Sequence, residues 1–116
     1  MMRMRLVSSG LGCLLLLAVS TLGANAEEGG MSDLHSKVRV GNKICFADHY
    51  HYGSSGGLAS KKAAEAAVIA DWAGFVAWEY GNAWASIKLA ANKSLKCSNS
   101  SGSWSCTLEA APCRRR

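Results

Sequence analysis

The chain has little proline, with Pro112 alone among 116 residues. Proline-rich spacers and polyproline recognition segments are therefore excluded. Charge is scarce as well, at 18% of residues. Lys61, Lys62, Lys88, Lys93 and Lys96 form no long basic run, which argues against a nucleic-acid reader. The glycine-rich Ser54-Ser55-Gly56-Gly57 precedes a helical pattern but is not followed by Gly-Lys-Ser or Gly-Lys-Thr. A phosphate-cradling loop is thus excluded, and the stretch reads as a hinge or cap loop. The spacing Cys97-x8-Cys106-x6-Cys113 lacks the close pairs of a structural zinc site. No nucleophile is accompanied by a recognisable base and orienter. Glu65, Asp71 and Glu79 are spread along one helix without converging, so no enzymatic activity is expected.

What is present begins with an address. Arg3 and Arg5 form a positive start, Leu11 to Val19 a short apolar run, and Ala24-Asn25-Ala26 a small-x-small cleavage site. This pattern predicts a secretory signal peptide over residues 1–26. The apolar run is too short to span a bilayer, no later segment is long and apolar enough, and Cys13 lacks a lipobox. The expected product starts at Glu27, with eleven Lys and Arg against eight Asp and Glu, a net charge of +3. Residues 27–36 read as a flexible, polar leader and 37–116 as one small domain. Arg114, Arg115 and Arg116 read as a solvated basic tail after the fold.

The stretch Ala63 to Tyr80 predicts a helix. It is crowded with alanine, the best helix former, and contains no proline. Ser60 is a fitting N-cap, and Gly81 follows the last turn, where glycine can adopt the left-handed closing conformation. Ile69, Trp72, Ala73, Val76 and Tyr80 recur at three- and four-residue steps and form the expected core stripe. Val68, Phe75 and Trp78 fall on another side, and Phe75 with Trp78 is a candidate partner surface.

Four cysteines remain after the signal: Cys45, Cys97, Cys106 and Cys113. An even count in a small exported domain predicts two disulfides, with three possible connectivities. Leu95–Ser98 and Trp104–Ala110 read as two strands. A two-residue turn at Ser101-Gly102 would set Cys97 opposite Cys106 and leave Cys45 to pair with Cys113. A short strand is expected near Ile44 to Ala47, and Asp48 to Gly57 reads as a loop by composition. Ala85, Ile87, Leu89 and Ala91 alternate with Trp84, Ser86, Lys88 and Ala90 and fit a strand with one buried face, a continued helix being the alternative. Asn92-Lys93-Ser94 reads as a turn, and Pro112 ends the last strand. The expected fold is α+β: one central helix on a three-stranded antiparallel sheet, with a possible extra strand before the helix, stabilised by disulfides.

The spacing Trp72…Val76…Tyr80-Gly81…Trp84, then Cys97…Trp104-Ser105-Cys106, then Ala111-Pro112-Cys113, resembles a group of small exported proteins of alphaproteobacteria. The segment Cys45 to Gly53 fits the pattern of its closer members. The resemblance covers most of the mature chain. It implies a periplasmic or secreted address and no particular activity.

One cluster of ligand-type side chains stands out. In an extended segment His49 and His51 point to the same side. Neutral imidazoles so placed can bind Cu²⁺ or Zn²⁺, with Asp48 adding an oxygen and His35 a possible further ligand. The alternative is that these histidines only hydrogen-bond within a polar loop. Two function classes follow. The first is an exported binding or interaction module of the bacterial envelope, with no cofactor and no stable membrane insertion, using Phe75 and Trp78 on a protein or cell-envelope ligand. The second is a periplasmic metal-binding protein using Asp48, His49 and His51.

Overall fold

The computed structural model describes residues 31–116; the expected signal peptide and the first four residues of the leader lie outside the described residues. A single turn of 3-10 helix, Met31–Leu34, comes first. Then follow β1 (Lys37–Val40), β2 (Lys43–Phe46), β3 (His51–Leu58), α1 (Lys61–Tyr80), a 3-10 turn at Asn82–Trp84, β4 (Ala91–Ser100), β5 (Ser103–Ala111) and β6 (Cys113–Arg115). Among the described residues no helix is long and apolar enough to cross a membrane.

The class is α+β, as expected, but the strands divide into two antiparallel sheets rather than one. Their orders are β1-β2-β6 and β3-β5-β4. The helix packs on the second. Its Ser60 hydroxyl accepts from the Ala63 N–H at 3.1 Å, and the Gly81 N–H donates to the Ala77 carbonyl at 2.9 Å. These bonds satisfy backbone groups that a helix end leaves without partners. Gly81 has φ +96°, a conformation open to glycine.

The buried positions of α1 are Ala64, Val68, Trp72, Val76 and Tyr80, a strict four-residue repeat. Val68 therefore belongs to the core stripe and not to the side that carries Phe75 and Trp78. The sheet, whose partnership the sequence does not state, chose a narrower stripe than the three-and-four pattern. Phe46, Trp84, Cys106, Leu108 and Ala110 complete the core.

The largest departure is β3. Its sequence, HYGSSGGL, reads as a loop by composition, yet it pairs with β5 from His51↔Ala110 to Leu58↔Trp104. The small residues serve packing. A Cβ at Gly53 would lie 2.8 Å from the Val68 carbonyl oxygen and 3.0 Å from Trp72 Cβ, so only glycine lets the strand run this close to the helix. The Ser55 hydroxyl donates to the Ala64 carbonyl at 2.7 Å and accepts from the Cys106 N–H at 3.2 Å, tying strand, helix and neighbouring strand together. Asp71 accepts from the Ser54 N–H at 2.8 Å.

The segment expected to be a strand after the helix is neither strand nor continued helix. Beyond Trp84 it forms a compact turn in which Leu89 and Ala90 N–H both donate to the Ser86 carbonyl. Lys43 and Lys93 donate to the Leu89 and Ile87 carbonyls at 2.7 and 3.2 Å, so side chains supply the partners that a ladder would otherwise provide. Asn92 to Ser94 is not a free turn but an irregularity inside β4, with Asn92 at φ +52°.

Both disulfides form as the hairpin register predicts. Cys97 lies opposite Cys106 in β4–β5, and Ser101 and Gly102 make the two-residue turn with φ +52° and +81°. Cys45 and Cys113 are opposite each other in β2–β6. Pro112 does stop β5 at Ala111, but the chain continues into β6. Arg114 and Arg115 are thus strand residues paired with Ile44 and Lys43, and the Arg116 N–H donates to the Asn42 carbonyl. The terminal arginines are part of the fold rather than a tail after it.

Candidate functional site

Tyr80 ends α1 on its buried side. Its hydroxyl lies 2.8 Å from His49 Nε2, 2.7 Å from His51 Nε2 and 3.4 Å from His35 Nε2. His49 Nε2 and His51 Nε2 are themselves 3.2 Å apart. Glu79, the residue before Tyr80, brings Oε2 to 3.0 Å from His51 Nε2. Three imidazoles, one from the first 3-10 turn and two from the His-x-His segment, thus gather on one phenol at the end of the central helix.

Each ring is placed by a different element. His51 opens β3 and is buried, because the first residue of that strand faces α1. His49 sits just before β3, half-buried. His35 follows the first 3-10 turn and stacks on His49, with centroids 4.0 Å apart and planes 23° apart. Phe46, from β2, meets Tyr80 edge-on at 4.7 Å and stacks on Trp84 at 4.4 Å. Apolar rings therefore wall one side of a small polar cluster.

The contacts restrict the protons. A phenol can donate once and accept twice. If His51 Nε2 were bare, its lone pair would face the Glu79 carboxylate at 3.0 Å. An arrangement that satisfies the two shortest contacts has His51 Nε2–H donating to Tyr80, whose O–H donates to a bare His49 Nε2. The His51 Nε2–H is then committed to Tyr80, and the 3.2 Å approach of His49 Nε2 is a secondary contact. Glu79 Oε2 stays buried with no hydrogen bond of good geometry, although it is close to His51. Its contact is charge proximity, and a proton or cation nearby would satisfy it.

Burial pulls the His49 imidazole below its usual range, and His35 adds to that pull against the opposing charge of Glu79. Burial does the same to His51, opposed by Glu79 and aided by the two other imidazoles. The Tyr80 phenol is pushed up by burial and by Glu79. Neutral forms are favoured for all three groups, as the proton assignment requires.

Of the residues expected to hold a metal, the structure brings His49, His51 and the further candidate His35 together, and it adds Glu79 and Tyr80. Asp48 is exposed, with φ +41°, and the contacts around Tyr80 are made without it. Among the described residues no three His, Cys, Asp or Glu side chains are grouped as a metal site. The role of Glu79 and Tyr80 was not legible locally. Only the landing of β2, β3 and the 3-10 turn beside the helix end makes them neighbours.

Phe75 and Trp78 lie on the outer side of α1. Trp78 is 79% exposed and Phe75 47%, with ring centroids 6.0 Å apart. Phe75 also reaches the His51 ring at 5.1 Å, so this surface borders the polar cluster. Comparison with protein families, with curated proteins and with solved structures finds no match to this chain.

Proposed function

We propose that this chain is an exported, non-enzymatic binding module of the bacterial envelope that presents Phe75 and Trp78 to a protein or cell-envelope ligand. The observation that carries this reading is Trp78, 79% exposed beside a half-exposed Phe75 on a helix whose opposite stripe is fully buried. Tryptophan in such a position contributes little to folding, while its burial against a partner is worth about 1.5–3 kcal/mol. The His–Tyr–Glu cluster holds the helix end beneath this surface. Two disulfides suit the oxidising compartment to which a signal peptide would deliver the chain.

A photoreactive amino acid placed at position 78, in protein recovered from the envelope, is the test. A defined adduct is expected by mass spectrometry, lost in Phe75→Ala while thermal unfolding is unchanged. No adduct, or one indifferent to Phe75, refutes the reading. Intact mass of the same material should start at Glu27; a retained Met1 would remove the export.

Metal binding is the second reading, and the buried, unbonded Glu79 Oε2 favours it. His49 and His51 Nε2, 3.2 Å apart, have the separation of two donors on one ion. A cation here has to displace the Tyr80 hydroxyl from between them. Calorimetric titration with Cu²⁺ and Zn²⁺ discriminates: micromolar affinity abolished by His51→Ala supports it, and affinity no better than that of a free His-x-His peptide rejects it.

A further inference from the structure

The net charge of this protein is segregated in a way that its chain order conceals. Residues 47–112 carry five lysines against five Asp and Glu, and balance to zero. Residues 31–46 and 113–116 carry Lys37, Arg39, Lys43, Arg114, Arg115 and Arg116 against Asp33 alone, a net charge of +5. These two segments are far apart in sequence but form one sheet, β1-β2-β6, locked by the Cys45–Cys113 disulfide.

We propose that the face of this sheet carrying Arg115, together with the adjoining Arg116, is a docking surface for a phospholipid membrane bearing anionic headgroups. Lys43 is occupied, since its ammonium donates to the Leu89 carbonyl at 2.7 Å. Lys37 makes an exposed contact with Asp33 at 3.5 Å, which solvent screens, and its ammonium lies 6.0 Å from the centroid of the Trp84 ring, which the Arg114 guanidinium approaches to 5.5 Å. Arg39, Arg115 and Arg116 are exposed, and no salt bridge joins them to a carboxylate among the described residues. Arg114, Arg115 and Arg116 line, with Ser86 and Leu89, an open concavity of about 610 Å³, a space suited to a phosphate-bearing headgroup. Guanidinium forks match phosphate oxygens in pairs.

The same region exposes apolar side chains that no core requires. Leu34 is 78% exposed, and Val38 and Val40 of β1 nearly half. Side chains alternate along a strand, so the register puts Val38 and Val40 on the face of Lys43 and Arg115, with Lys37, Arg39 and Arg114 on the other. A face that joins exposed aliphatics to Arg115 is what the boundary between headgroups and acyl chains accepts, whereas a soluble polyanion offers the aliphatics nothing. Each basic residue near an anionic leaflet is worth roughly a five-fold gain in binding. The surface uses residues other than Phe75 and Trp78, so failure of either proposal leaves the other standing.

Co-sedimentation of the disulfide-bonded protein with vesicles is the test. Binding is expected to phosphatidylcholine vesicles that contain phosphatidylglycerol and not to phosphatidylcholine alone. It should fade as salt shortens the screening length from about 10 Å to about 3 Å. Arg115→Ser with Arg116→Ser should weaken it roughly 30-fold with thermal unfolding unchanged. Lys61→Ser with Lys62→Ser removes the same charge from the helix start and should weaken it no more than about two-fold. Equal losses in the two variants would reduce the effect to net charge and overturn the proposal. So would equal binding to uncharged vesicles, or displacement by inorganic phosphate at matched ionic strength. Tighter binding to duplex DNA than to vesicles at equal phosphate concentration would overturn it in favour of a nucleic-acid surface.

Discussion

Tyr80→Phe removes one oxygen and keeps the ring. The edge-on contact with Phe46 at 4.7 Å survives, so packing is preserved to first order. What goes is the acceptor for His51 Nε2–H at 2.7 Å and the donor to His49 Nε2 at 2.8 Å. A buried polar group left without its partner costs about 1–3 kcal/mol. The two imidazoles, 3.2 Å apart with complementary roles, can bond to each other and recover part of that. The expected loss near neutral pH is therefore about 1–2 kcal/mol, or roughly 8 °C in Tm for a domain of this size.

The loss should also depend on pH. His49 and His51 are held below their usual range in the folded protein, so the unfolded chain takes up protons first, near pH 6.5. Their contribution is complete above about pH 6.5 and is lost as pH falls below it toward the lower folded values. The phenol hydrogen needs a bare His49 nitrogen, so wild-type protein loses its advantage over Tyr80→Phe along that descent. Thermal unfolding by circular dichroism from about pH 8 to about pH 5, disulfides intact, should show the two curves converge. A loss under about 0.5 kcal/mol at neutral pH, or a gap constant across the range, would refute the hydrogen-bonded hub.

Trp72→Ala should cost about 3–5 kcal/mol because Trp72 is fully buried, while Trp78→Ala should stay within about 0.5 kcal/mol; equal losses in chemical denaturation would contradict the two-sided helix. Gly53→Ala should cost about 1–3 kcal/mol by pushing β3 off the helix, and an unchanged Tm would show that the 2.8 Å approach to the Val68 carbonyl is not a constraint. The Cys45–Cys113 bridge spans 68 residues and Cys97–Cys106 only 9, so in the chain-entropy model they contribute about 4 and about 2.5 kcal/mol. Replacing the first pair by serine should lower the urea midpoint more than replacing the second, and the reverse order would sink that reasoning.

Local chemistry was enough to place some elements. Alanine content, the Ser60 hydroxyl and Gly81 are properties of adjacent residues, and they set α1 between Lys61 and Tyr80. The turn at Ser101-Gly102 is equally local, and once its register is set Cys97 must meet Cys106, which leaves Cys45 for Cys113. The exposure of Phe75 and Trp78 follows from helical spacing. β3 depends on its partners, because a Gly- and Ser-rich segment has no strand propensity until β5 supplies hydrogen bonds and the helix demands small residues beneath it. Only the fold could deny a strand to the residues after Trp84, whose carbonyls are taken by Lys43 and Lys93 from elsewhere. The candidate site was half legible: His-x-His was visible and His35 stood as a further ligand, whereas Glu79 and Tyr80 join them through contacts that reach across 31 residues. The basic sheet was not legible at all. Charge summed along a chain is blind to which segments pair, and the pairing of β2 with β6 is what turns a mild net charge into a concentrated one.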